Sequence, residues 1–148
     1  MGQMELFEED LQKEPEVPDY SAGKVQTEIH RITGLLRFSP DPTGVYIARC
    51  APDHFILPAL AEHFKQRFGE TPWVIIDEKR GLSLSCENGG PARILPYSAP
   101  PPAPEEKDSW EELWCLHHRS LSNEARKNLR LQQQFIPKRY HKYLPEIR

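Results

Sequence analysis

The sequence predicts an α+β domain: an antiparallel sheet with a strand-strand-helix-strand-strand core, followed by a C-terminal helical hairpin. Three observations predict it. Short β-branched and aromatic runs bounded by turn residues recur between Leu35 and Leu95. One strongly periodic helical segment divides them into two groups. Beyond a proline-rich stretch, the apolar positions return to helical spacing.

The elements follow in order. Residues 1–20 read as an acidic disordered tail, with seven acids and one Lys between Met1 and Asp19. The α+β core spans 21–96. Val25, Ile29, Ile32 and Leu36 follow helical spacing, with Ser21 as the expected cap and Gly34 as the stop. Leu35–Phe38 then reads as a strand. Ser39 to Gly44 is dense in turn formers, and Val45–Cys50 reads as the second arm of an antiparallel hairpin. Asp53 offers a helix cap. Leu57, Leu60, Ala61, Phe64 and Phe68 recur at helical spacing up to Gly69, and Pro58 fits only in the first turn, which puts the start near Phe55. Trp73–Asp77, Leu82–Cys86 and Ala92–Leu95 read as a three-strand meander, with alternation in Leu82–Cys86 marking one buried and one wet face. Residues 97–106 hold four prolines and read as an extended linker. Residues 107–148 form a basic C-terminal helical region packed on the core. Its first helix starts at Asp108 or Ser109 and carries Trp110, Leu113 and Trp114, and its second runs from Ser122 or Asn123 toward Phe135, with Pro137 as the stop.

Composition narrows the function classes. With 148 residues, 38% hydrophobic and 28% charged, the chain has the make-up of one polar globular domain. No stretch approaches the roughly 20 apolar residues of a membrane span, and the acidic N-terminus lacks the pattern of a secretory leader. A cytoplasmic location without membrane association is expected. Cys50, Cys86 and Cys115 are odd in number and far apart, which argues against a disulfide framework and a structural zinc site. The histidines are equally dispersed. No metal and no cofactor is expected.

Charge distribution is the strongest functional signal. Between Arg119 and Arg148 stand eight Lys or Arg against two acids, in a chain whose formal net charge is -3. Ammonium and guanidinium groups neutralise phosphates while tyrosine rings can stack on bases, so cations interleaved with Tyr140 and Tyr143 suit nucleic acid. Arg126, Lys127, Arg130, Lys138, Arg139, Tyr140 and Lys142 are the candidate contacts. The plainer alternative is a solvated basic helix face, with the tyrosines packing the terminal segment on the sheet. A second set could carry acid/base chemistry: His30, Asp53, His54 and Asp77, provided that they converge in one cleft. Asp77 to Gly81 is explained as readily by the needs of a hairpin turn.

Beyond these patterns, several motifs resemble a bacterial family known as a domain of unknown function and described as DNA-metabolism or DNA-repair proteins. The motifs are Glu28-Ile29-His30-Arg31 with Leu36-Arg37-Phe38, Pro52-Asp53-His54, the Trp73–Asp77 strand, Leu113-Trp114, and the closing run Pro137 to Glu146. The likeness spans about Val25 to Glu146. Longer relatives carry a further region where this chain has its acidic tail. Related domains occur fused to uracil-DNA-glycosylase-like domains or paired with a DNA-modification radical-SAM protein. The resemblance implies DNA as partner, in repair or modification, and supplies no catalytic residue. An accessory DNA-binding module is therefore expected. The alternatives are an enzyme acting on damaged or modified nucleotides, and an adaptor that docks a radical-SAM or glycosylase-like partner through Trp110 and Trp114.

Overall fold

The computed structural model describes residues 19–97 and 109–147. The acidic tail up to residue 18 and nearly all of the proline-rich linker lie outside the described residues. The elements are α1 (Gly23–Leu35), β1 (Ser39–Pro40), β2 (Tyr46–Cys50), α2 (Leu57–Phe68), β3 (Trp73–Asp77), β4 (Leu82–Cys86), β5 (Arg93–Pro96), α3 (Ser109–Leu121), a 3-10 turn at Glu124–Arg126, α4 (Leu129–Phe135) and a second 3-10 segment at Lys138–Tyr143. The fold is α+β, as expected.

The five strands form one sheet in the order β1-β2-β3-β4-β5. Three of its four pairings are antiparallel. The exception corrects the expectation of a wholly antiparallel sheet, because β2 and β3 run parallel, with Tyr46 opposite Trp73 and Cys50 opposite Asp77. Parallel neighbours need a crossover rather than a hairpin, and α2 supplies it. β3 lies at the centre, and four of its five residues are buried.

α2 lays one apolar face into the core. Leu57, Leu60 and Phe64 share its inner face and are fully buried, each contributing roughly 1.5–3 kcal/mol by removal from water. Pro58 sits in the first turn, where no backbone N–H is needed. The helix begins at Leu57 rather than near Phe55, and Ile56 stands at its cap in place of Asp53. It closes on Gly69, whose φ of 58° is cheap only without a side chain. Val25 and Ile32 of α1, and Leu36 just after it, join the same cluster, together with Trp73, Ile75, Leu84, Cys86 and Tyr140.

Local differences from the expected pattern have local causes. Ser21 does not cap α1, since its N–H and hydroxyl both donate to Asp19. Ala22 stands at the cap instead, with no side-chain hydrogen bond. Leu35 ends α1 rather than opening a strand, and the two-residue β1 begins only at Ser39. Between them Phe38 is drawn onto α2, its ring centroid 5.2 Å from that of Phe64 and 4.8 Å from that of Phe68. β4 does not alternate cleanly: Ser83 is buried beside Leu84, and its hydroxyl donates to the carbonyl of Leu95. The expected second C-terminal helix is broken in two. Asn123 caps the 3-10 turn through Ala125 N–H, and Asn128 starts α4 afresh by accepting from Leu131 N–H. The aromatic stripe of α3 is exposed, and no residue of that helix is buried.

Candidate functional site

Glu28 is a carboxylate on the buried face of α1, between Val25 and Ile32, and only 5% exposed. A charge in such a place needs donors. They come from the loop after β2: Asp53 N–H donates to its Oε1 at 2.6 Å and His54 N–H to its Oε2 at 3.0 Å. The imidazole of His54 meets the same Oε2 through Nδ1 at 2.5 Å. A carboxylate only accepts, so Nδ1 carries a proton, and Nε2 is the nitrogen that a neutral ring would present as an acceptor.

Neighbouring cations hold that loop from two sides. Arg139 pairs with Asp53 through Nη1, lies 4.0 Å from Glu28 Oε1 and donates from Nη2 to the Tyr140 hydroxyl at 2.8 Å. Lys79 reaches the other oxygen of Asp53 at 3.3 Å. Hydrogen bonding from Arg139 holds the Asp53 carboxyl below its ordinary value, and the same contact raises Arg139. On the far side, Arg80 donates to the carbonyls of Pro52 at 2.9 Å and Asp53 at 2.7 Å. Arg80 is in turn fixed by Asp77, which is wholly buried and also accepts the N–H groups of Lys79 and Arg80.

These groups border a cleft of about 360 Å3 lined by Gly23, Lys24, Thr27, Glu28, Arg31, Asp53, His54 and Arg139. Lys24 and Arg31 enter no ion pair among the described residues. Lys24, Glu28 and Arg31 fall on one side of α1 because positions three, four and seven apart share a helix face.

Of the four acid/base candidates, Asp53 and His54 meet at this cleft. His30 is exposed on α1 and does not line it. Asp77 lies behind it, fixed to Arg80. Glu28 is the residue that the acid/base set lacked, and the available signal was a carboxylate inside an apolar helical stripe.

The C-terminal candidates divide. Tyr140 is 2% exposed and packs in the core, with Arg139 4.8 Å above its ring. Lys142 pairs with Glu78 at 3.5 Å and Lys127 with Glu124 at 3.7 Å. Arg126, Arg130 and Lys138 enter no ion pair among the described residues and are exposed. Glu78 also accepts from the Tyr143 hydroxyl at 2.6 Å. Burial pulls the Glu78 carboxyl up, but Tyr143, Lys142 and Arg49 together bring it net below its ordinary value. Tyr143 is pushed well above its ordinary value, by burial first and by Glu78 second.

Among the described residues no group of three or more His, Cys, Asp or Glu is placed to hold a metal ion. No helix there is long and apolar enough to cross a membrane.

The model of a family described as a domain of unknown function, DUF4130, matches residues 14–146. The match covers nearly the whole chain, and the protein belongs to that family. No curated protein and no solved structure matches it.

Proposed function

We propose that this DUF4130 protein is an accessory DNA-binding module in repair or modification that grips phosphates at the cleft beside α1. One observation carries the reading: the cleft has cations to spare. Its two carboxylates are already satisfied, Glu28 by three N–H donors and Asp53 by Arg139 and Lys79, while Lys24 and Arg31 pair with no carboxylate among the described residues. The uncapped start of α1 adds partial positive charge on the same side. Arg126, Arg130 and Lys138 are further exposed cations that phosphates can meet. Lys127 and Lys142 can join them, because exposed ion pairs are worth only about 0–1 kcal/mol and exchange readily for phosphate. Arg139 instead serves to shape the cleft. Phosphate contacts give affinity without sequence choice.

The test is a titration of single- and double-stranded oligonucleotides of several sequences at two salt concentrations. Three phosphate contacts predict a loss of affinity of about 40-fold on duplex and about 18-fold on single strands over a fourfold rise in salt. Lys24→Ala with Arg31→Ala should weaken binding equally for all sequences. An affinity indifferent to salt and to that double variant would overturn the proposal.

A second reading, the adaptor, draws on one observation. α3 and α4 leave Leu113, Leu116, Leu121, Leu129, Leu131 and Phe135 exposed, and apolar surface of that extent commonly marks a protein contact. A radical-SAM or glycosylase-like partner is the candidate occupant. Co-purification that is lost in Leu113→Asp and Leu116→Asp would favour it.

A further inference from the structure

We propose that the cleft is also catalytic: His54 Nε2 is the general base for hydrolysis of the phosphodiester joining the last nucleotide to a DNA strand, with Glu28 as its positioning residue. The inference rests on the phosphate-binding reading above and assigns that site a reaction.

Four features of the site converge on it. The contact between Glu28 and Nδ1 fixes both tautomer and ring orientation, which is how a carboxylate prepares an imidazole to take a proton at the opposite nitrogen. Nε2 makes no hydrogen bond among the described residues, the side chain is 39% exposed, and the ring lines the cleft. The residues that set the ring in place are themselves rigidly held: Glu28 by two backbone N–H groups, and the loop of Pro52 and Asp53 by Arg80 on buried Asp77. Lys24 and Arg31 line the same cleft and offer charge where a phosphoryl transition state spreads it over its oxygens.

Size points to a strand end. About 360 Å3 lies at the lower end of the roughly 300–1,000 Å3 of small-molecule sites, enough for a single nucleotide and too small for a duplex. A single terminal nucleotide is of a size to enter while the rest of the strand stays outside the cleft.

In the step, a water molecule passes a proton to His54 Nε2 as its oxygen bonds to phosphorus. The opposite P–O bond breaks and the leaving sugar oxygen takes a proton from bulk water. The imidazolium then releases its proton to bulk water, so the products are a mononucleotide and a strand one unit shorter. Nothing is oxidised or reduced, and water is the only co-reactant.

The experiment follows release of labelled mononucleotide from single strands labelled at the 5′ or the 3′ end, beside binding of the same strands. Release by the native protein should fall by ~10²-fold or more in His54→Gln while binding persists. Glu28→Gln should lower kcat by about 10²-fold with KM within about twofold, and Glu28→Asp should restore part of it, whereas a merely structural loss would reduce the folded fraction and leave kcat per folded molecule unchanged. Lys24→Ala with Arg31→Ala should raise KM and also lower kcat, since both cations serve the bound phosphate and its transition state. Because Glu28 is buried, its variants are read only where thermal melting shows a folded protein; His54→Gln, half-exposed, decides the matter on its own. Binding with no release, or release unchanged in His54→Gln, overturns the catalytic assignment and leaves the binding reading intact. Absence of binding removes both.

Discussion

Arg80 in the turn after β3 donates to the carbonyl oxygen of Asp53 at 2.7 Å, linking the sheet's central strand to the loop that carries His54. Its Nη1 bridges the Pro52 carbonyl and Asp77, a carboxylate without solvent exposure. Truncating one member of such a pair leaves a buried charge uncompensated, which costs about 3–5 kcal/mol. Arg80→Ala should therefore lower stability by about 3 kcal/mol in urea unfolding. Arg80→Lys should recover less than half of that, because a single ammonium cannot span three acceptors in the plane of a guanidinium. A loss below about 1 kcal/mol would show that the clasp is not structural.

Arg37, between α1 and β1, meets Glu146 near the C-terminus at 2.8 Å, and the Glu146 side chain is only 6% exposed. Burial pulls its carboxyl up, but the hydrogen bond and charge of Arg37 bring it net below the ordinary 4.5. A lowered folded value means that the unfolded chain binds protons first on acidification. The contribution of this pair is thus complete above about pH 4.5 and fades as pH falls through the depressed folded value. Stability measured from pH 6 downward should drop less steeply in Glu146→Gln than in the native protein. Parallel slopes would assign the acid loss elsewhere.

Much of the fold was legible because it rests on local spacing. The stripe of Val25, Ile29, Ile32 and Leu36 marked α1, and that of Leu57, Leu60 and Phe64 marked α2, since core-facing helices must repeat apolar residues every three or four positions. Leu35–Phe38 misled because a short apolar run fits a helix end as well as a strand. The parallel register of β2 and β3 depends on where α2 packs, which no strand residue encodes. The C-terminal cations were visible as a cluster, but their partners were not: Arg139 meets Asp53 and Lys142 meets Glu78 across long sequence separations. Glu28 was readable in principle, as the one acid in an apolar stripe, yet its donors come from a loop 25 residues away.

Asn128 gives a local test. Its side chain accepts from Leu131 N–H at 3.0 Å and restarts the helix after Lys127. Loss of such a cap costs about 1 kcal/mol. In Asn128→Ala the amides of α4 should exchange faster by about fivefold, the kinetic equivalent of that energy. Amides of β3 should not change, since α4 buries no residue in the core. Equal acceleration in both would mean that α4 and the sheet unfold as one unit.

The three cysteines should separate by reactivity. Only the thiolate attacks disulfides and alkylating agents, so both exposure and thiol acidity decide the rate. Cys50 is buried on β2, and burial, reinforced by the negative charges of Asp77 and Glu78, pushes its thiol up to about 12. Cys86 is buried on β4, with its Sγ 3.3 Å from the carbonyl of Gly90. Cys115 is half-buried on α3, a helix without a residue in the core. In native protein at neutral pH a disulfide reagent should modify Cys115 within minutes, while Cys50 and Cys86 react only as fast as the sheet opens. Denaturant should release all three at once. Cys115→Ser should then abolish the fast phase and leave the slow one unchanged. A fast phase that survives that substitution would mean that β2 or β4 opens without global unfolding, and that the loop carrying His54 is less firmly seated than its hydrogen bonds to Glu28 require.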